Sequence, residues 1–197
     1  MNFLYKFTKK LKEYRKISEV DEIARRYFAM NGFDGSLTML GLLIGYYLSG
    51  FNNPAVIFVT GISTCVAMGV SGLWGTYLTE RSERISSLRE LEKATISDLS
   101  NTKIESAHKF AMIVVTVADV VASSITAFFS LLPFLFTRFF NIRICYYISF
   151  ALSFVTLFLL GIFLGRISKE NIIISGAKMV VAGIVSVLIS VLLIRNF

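Results

Sequence analysis

The chain has 197 residues, of which 55% are hydrophobic and 17% charged. A soluble domain of that size cannot hide so much apolar surface beneath a solvated shell, and a chain this apolar is not disordered. Its natural solvent is lipid, so the net charge of +7 has to be read against a membrane before nucleic acid is considered.

The first 28 residues carry Leu4, Phe7, Leu11, Tyr14, Ile17, Val20 and Ile23 at intervals of three or four, among lysines and arginines. That pattern predicts an amphipathic helix over 1–28, lying on the inner membrane face. No apolar run interrupts it, and no cleavable signal peptide is expected. A membrane span needs ~20 mostly apolar residues. Five segments qualify: 29–49, 54–78, 110–136, 144–164 and 172–194. Residues 79–109 continue the second span as a charged cytoplasmic helix, with Asn101-Thr102 as its expected break. The expected fold is therefore an all-α membrane protein of five transmembrane helices, with a membrane domain over 29–197. Cys65 and Cys145 lie inside apolar runs and read as small hydrophobes.

The basic residues set the orientation. Lys6, Lys9, Lys10, Lys12, Arg15, Lys16, Arg25 and Arg26 precede the first span. Arg81, Arg84, Arg89, Lys93, Lys103 and Lys109 lie between spans two and three, and Arg166 and Lys169 between spans four and five. The opposite side carries Arg138, Arg143 and Arg195 alone, and Lys178 falls inside span five. The positive-inside rule then puts the N-terminus and the long insert in the cytoplasm and the C-terminus outside. The net charge is topological, and nucleic acid is not needed to explain it.

Ionisable groups within a span are expensive and mark function. Asp34 lies five residues into span one, Asp119 near the middle of span three, and Lys178 about six residues into span five. Asp34 reads equally as a helix cap below the headgroups and as a functional acid. Lys178 either snorkels to the cytoplasmic interface or pairs with Asp119 inside the bundle. Gly41 and Gly45 in span one and Gly161 and Gly165 in span four form GxxxG patterns, and Gly69, Gly72 and Gly75 make a smooth ridge along span two. For span four the reading is plain helix packing; span one is the expected dimer face. Met68 precedes the ridge and offers a thioether to a borderline metal, although a lone methionine also serves as filler. Glu80, Glu83 and Glu90 share a helix face within roughly 80°. They either bind a cation or form a solvated charged face. His108, at the interface, is expected to be solvated.

Together these residues resemble the vacuolar iron transporter family, which includes nodulin-21-like proteins and many prokaryotic members. The resemblance is to a divergent, short prokaryotic-type member. It is carried by Phe33-Asp34-Gly35-Ser36-Leu37-Thr38, matching the family's Asp-Gly motif, and by Ala67-Met68-Gly69-Val70-Ser71-Gly72-Leu73-Trp74-Gly75-Thr76-Tyr77-Leu78, ahead of a glutamate-bearing helix. Ser130-Leu131-Leu132-Pro133-Phe134 and Ser175-Gly176-Ala177-Lys178-Met179 with Gly183 extend it. The resemblance implies a homodimer that exchanges cytosolic Fe2+ or Mn2+ for protons, with Asp34 and Met68 at the transport site and no permanently bound cofactor. Tyr27 and Thr60 stand where the family often has acids.

Three functions follow. The first is a divalent-metal transporter of the cell membrane, in which two Asp34 side chains face each other across a dimer axis. The second is a membrane scaffold or regulator that keeps the fold and has lost the ion site. The third, an intramembrane hydrolase using Asp34 and Asp119, lacks the GxGD-like motif of that class, since Val117-Ala118-Asp119 is not one. No nucleophile–base set accompanies the single histidine, so the chain is not expected to be an enzyme.

Overall fold

The computed structural model describes residues 2–195, with side chains described at 9 and 11–193. All regular elements within it are helical: α1 (Asn2–Ser18), α2 (Val20–Leu48), α3 (Pro54–Thr95), α4 (Lys103–Leu131), a 3-10 segment (Leu132–Phe136), α5 (Ile142–Ser168) and α6 (Ile172–Arg195).

The N-terminal amphipathic stretch is shorter than expected. Glu19 takes the left-handed conformation, with φ of 50°, and the chain breaks there. Ser18 Oγ donates to the Tyr14 carbonyl at 2.7 Å, and Arg15 pairs with Asp21 across the break at 2.8 Å. Val20 and Ile23 therefore belong to α2. Val20 is fully buried and clusters with Ala111 and Val115 of α4.

The second span does continue into the charged insert. Asn53 caps α3, its Oδ1 accepting from the backbone N–H groups of Ala55 and Val56, and Pro54 opens the helix where a missing N–H does no harm. The helix then runs for 42 residues, changing from apolar to charged without interruption, to a left-handed Ile96. The boundary expected at Asn101-Thr102 is the start of α4. Thr102 Oγ1 accepts from the Glu105 N–H at 3.3 Å while Glu105 Oε2 accepts from the Asn101 N–H at 2.7 Å, a reciprocal cap. Residues 103–109 thus belong to the third-span helix.

α4 is central. It packs against α2 on one side and α3 on the other, while α5 packs on α2 and carries α6. At Gly35 the backbones of α2 and α4 nearly touch: a Cβ there would lie against the Ser123 carbonyl oxygen and 2.5 Å from Thr126 Oγ1. Gly161 and Gly165 let α5 approach Ile172, Ser175 and Gly176 of α6, which is the helix packing expected of span four. Met39, Leu43, Ile57, Leu131, Phe134 and Tyr146 fill the core toward the 3-10 segment, where Tyr146 donates to the Phe51 carbonyl at 2.9 Å. Cys65 and Cys145 belong to the same core as free, buried thiols.

Among the described residues four helices are long and apolar enough to cross a membrane: α3, α4 with its 3-10 extension, α5 and α6. α2 is not among them, although it has 29 residues, because Asn31, Asp34 and the glycines dilute its apolar stretch. The chain is an integral multi-pass membrane protein of helical architecture.

Candidate ion site

The close approach of Gly35 to Ser123 fixes what lies beside it. Asp34 precedes Gly35, and Asp119 lies one turn before Ser123 on the facing helix. Both carboxylates line one cavity of about 390 Å³, together with Asn31 of α2, Ala67, Met68, Ser71 and Gly72 of α3, and Ser123 of α4. Three helices thus converge on the cavity, and Asp34 and Met68 both line it.

The two acids differ in setting. Asp34 is exposed to the cavity and has no hydrogen-bond or ion-pair partner among the described residues. Asp119 is only 2% exposed. Its Oδ2 accepts a hydrogen bond from Thr76 Oγ1 of α3. Gly72 leaves room for Asp119, since a Cβ at 72 would stand 3.0 Å from Oδ2. Asn31 is steadied by donation from Nδ2 to the Tyr27 carbonyl at 3.1 Å.

Several expected partners are placed otherwise. Lys178 does not reach Asp119. It lies on α6, which packs on α5 and α2, and its Nζ pairs with Glu170 at 3.6 Å with most of the side chain exposed. The outward reading of Lys178 is the one the structure adopts. Glu80, Glu83 and Glu90 do not form a cluster. Glu80 is buried, pairs with Arg84 at 3.4 Å and faces Tyr27, whereas Glu83 and Glu90 are exposed. Among the described residues no group of three His, Cys, Asp or Glu side chains could hold a metal ion. His108 is not fully solvated, because its Nδ1 is buried without a hydrogen-bond partner. In the glycine ridge, Gly69 faces Ser124 and Gly72 faces Asp119, but a Cβ added at Gly75 would meet no heavy atom within 4 Å among the described residues, and the same holds at Gly41 and Gly45.

Sequence reasoning missed the approach of buried Glu80 of α3 to half-buried Tyr27 of α2. Arg84 extends that contact to the α1–α2 junction by donating from Nη1 to the Ser18 carbonyl at 3.5 Å. The spacing of Tyr27, seven residues before Asp34 on the same helix stripe, was the available signal.

A helical membrane protein with a cavity between its helices that is lined by two carboxylates has the build of a membrane transporter. A model of the VIT family matches residues 101–195. The chain is also 32% identical to an uncharacterized protein of Methanocaldococcus jannaschii over 175 residues, covering 89% of this chain and 90% of that one. No solved structure matches. The chain belongs to the VIT family, the vacuolar iron transporter family. Its members are membrane transporters, so membership suggests metal-ion transport and argues against an enzyme.

Proposed function

We propose that the protein moves a divalent metal cation, Fe2+ or Mn2+, out of the cytoplasm in exchange for protons. The observation that carries this reading is the cavity in which Asp34 and Met68 meet between α2 and α3. A cation entering it must shed water, and the unpartnered Asp34 carboxylate replaces part of that hydration. The Met68 thioether favours a borderline ion such as Fe2+ over a hard one such as Mg2+. Protonation of Asp34 discharges the ion and links its release to proton flow.

In this reading α2 also spans the membrane, as the first of five, with its N-terminus in the cytoplasm as the basic residues require. The protein works as a homodimer. Gly41 and Gly45 support that, because they lie 7 and 11 residues beyond Asp34 on one stripe of α2 and a Cβ added at either would meet no heavy atom within 4 Å among the described residues. Glu83 and Glu90, exposed on the extension of α3, raise the local cation concentration.

The test is uptake of Fe2+ and Mn2+ into proteoliposomes carrying an internal pH-sensitive dye. Metal entry with a matching pH change is expected. A protein that inserts but moves no metal would favour the scaffold reading, and metal entry without a pH change would remove the proton coupling.

A further inference from the structure

We propose that Asp119 is the second binding carboxylate of the ion cavity, so that a single chain neutralises one divalent cation with its own Asp34 and Asp119. The inference rests on the ion-transport reading above and adds a residue from a helix that reading does not use.

The first argument is charge. A divalent cation beside one carboxylate keeps a net positive charge, which is costly in a low-dielectric interior. A second carboxylate in the same cavity removes it. Asp119 is buried to within 2% of full coverage, lines the cavity, and has no basic partner among the described residues. A buried acid in a span is otherwise found paired. Here the Thr76 hydroxyl occupies one oxygen and no cation among the described residues answers the charge.

The second argument is space. The residue facing Asp119 across α3 is Gly72, where even a methyl group would stand 3.0 Å from Oδ2 and 3.6 Å from Oδ1. The third is rigidity. The contact of Gly35 with the Ser123 backbone holds α2 and α4 at fixed separation, so the two carboxylates stay on the walls of one cavity. Met68, Asn31, Ser71 and Ser123 complete the lining with a thioether, an amide and two hydroxyls, and water fills the remaining positions of the ion. The second charge thus comes from within the chain and does not require Asp34 of another copy.

The experiment titrates Mn2+ into the purified full-length protein in detergent and follows the loss of the free-ion electron paramagnetic resonance signal. One Mn2+ per chain is expected. Asp119→Asn keeps the size of the side chain and an acceptor for Thr76, and should weaken Mn2+ binding at least ~10-fold, since even outer-shell partners of a metal typically matter that much. Gly72→Ala, which leaves the charge and crowds the carboxylate, is the second variant should Asp119→Asn fail to purify as one species, and it too should weaken binding. Wild-type affinity in Asp119→Asn, or in Gly72→Ala when that variant stands in, would overturn the proposal, as would one Mn2+ per two chains. Loss in Asp34→Asn but not in Asp119→Asn would overturn it while leaving the transport reading intact. If Asp34→Asn also binds Mn2+ like wild type, the cavity is not the ion site and the transport reading falls with it.

Discussion

Replacing Gly35 by alanine strikes the contact on which the ion cavity depends. The added Cβ would press on the Ser123 carbonyl oxygen and stand 2.5 Å from Thr126 Oγ1, where an ordinary contact begins at ~3.5 Å. Both obstacles belong to α4, and one is backbone, so no side-chain rotation can clear them. Either α2 retreats by about 1 Å or the helices deform, and overpacking of this kind costs about 1–3 kcal/mol. Retreat moves the wall bearing Asp34 away from the wall bearing Asp119. Gly75→Ala is the control, because a Cβ added at Gly75 would meet no heavy atom within 4 Å among the described residues and alanine is the better helix former by about 1 kcal/mol. Thermal unfolding of the detergent-solubilised protein, read by the fluorescence of Trp74, should show a clear loss of stability for Gly35→Ala and none for Gly75→Ala. Mn2+ binding should weaken in the first and persist in the second. Equal stability and binding in wild type and Gly35→Ala would refute the tight α2–α4 packing from which the cavity is built.

Removing the Arg84 side chain by Arg84→Met should destabilise the protein by ~3 kcal/mol, because Glu80 is then buried without its ion pair; a double-mutant cycle with Glu80→Gln should return a coupling, and strict additivity would argue against the pair. Lys178→Met should change stability by less than ~0.5 kcal/mol, since its only ion pair among the described residues is the exposed 3.6 Å contact with Glu170; a loss near that of Asp119→Asn would revive a buried pairing. Cysteines placed at Gly41 or Gly45 should crosslink two copies in the membrane, whereas crosslinks formed solely through α5 would move the dimer face elsewhere.

Much of the helical layout was legible because it follows from local physics. Asn53-Pro54 and Thr102 announce helix starts, and the uninterrupted run from Thr79 to Thr95 contains neither proline nor glycine to stop α3. Asp34 and Met68 could be singled out as a polar acid and a thioether in otherwise apolar helices, and the structure brings them to one cavity. What was hidden depends on which faces meet. Glu80 reads as part of a charged surface because its neighbours Arg81 and Glu83 are solvated, yet a 42-residue helix extends far enough past the bundle's apolar layer to press one of its turns against Tyr27. Lys178 and Asp119 both fall inside apolar runs but do not share a neighbourhood, since α6 packs on α5 and α2 whereas α4 packs on α2 and α3. The break at Glu19 has no glycine or proline to mark it, and rests on a single residue in the left-handed conformation.

Metal uptake by wild-type protein and Asp34→Asn, reconstituted side by side at equal density, tests the central claim most directly. Asp34 has no hydrogen-bond or ion-pair partner among the described residues, so its replacement by the isosteric amide removes a charge from the cavity without breaking such a contact. Wild type should accumulate Fe2+ or Mn2+ with a matching movement of protons, and Asp34→Asn, inserted and folded to the same extent, should accumulate none. Equal uptake by the two proteins would contradict the role given to Asp34, and uptake by neither would leave a membrane scaffold in place of the transporter.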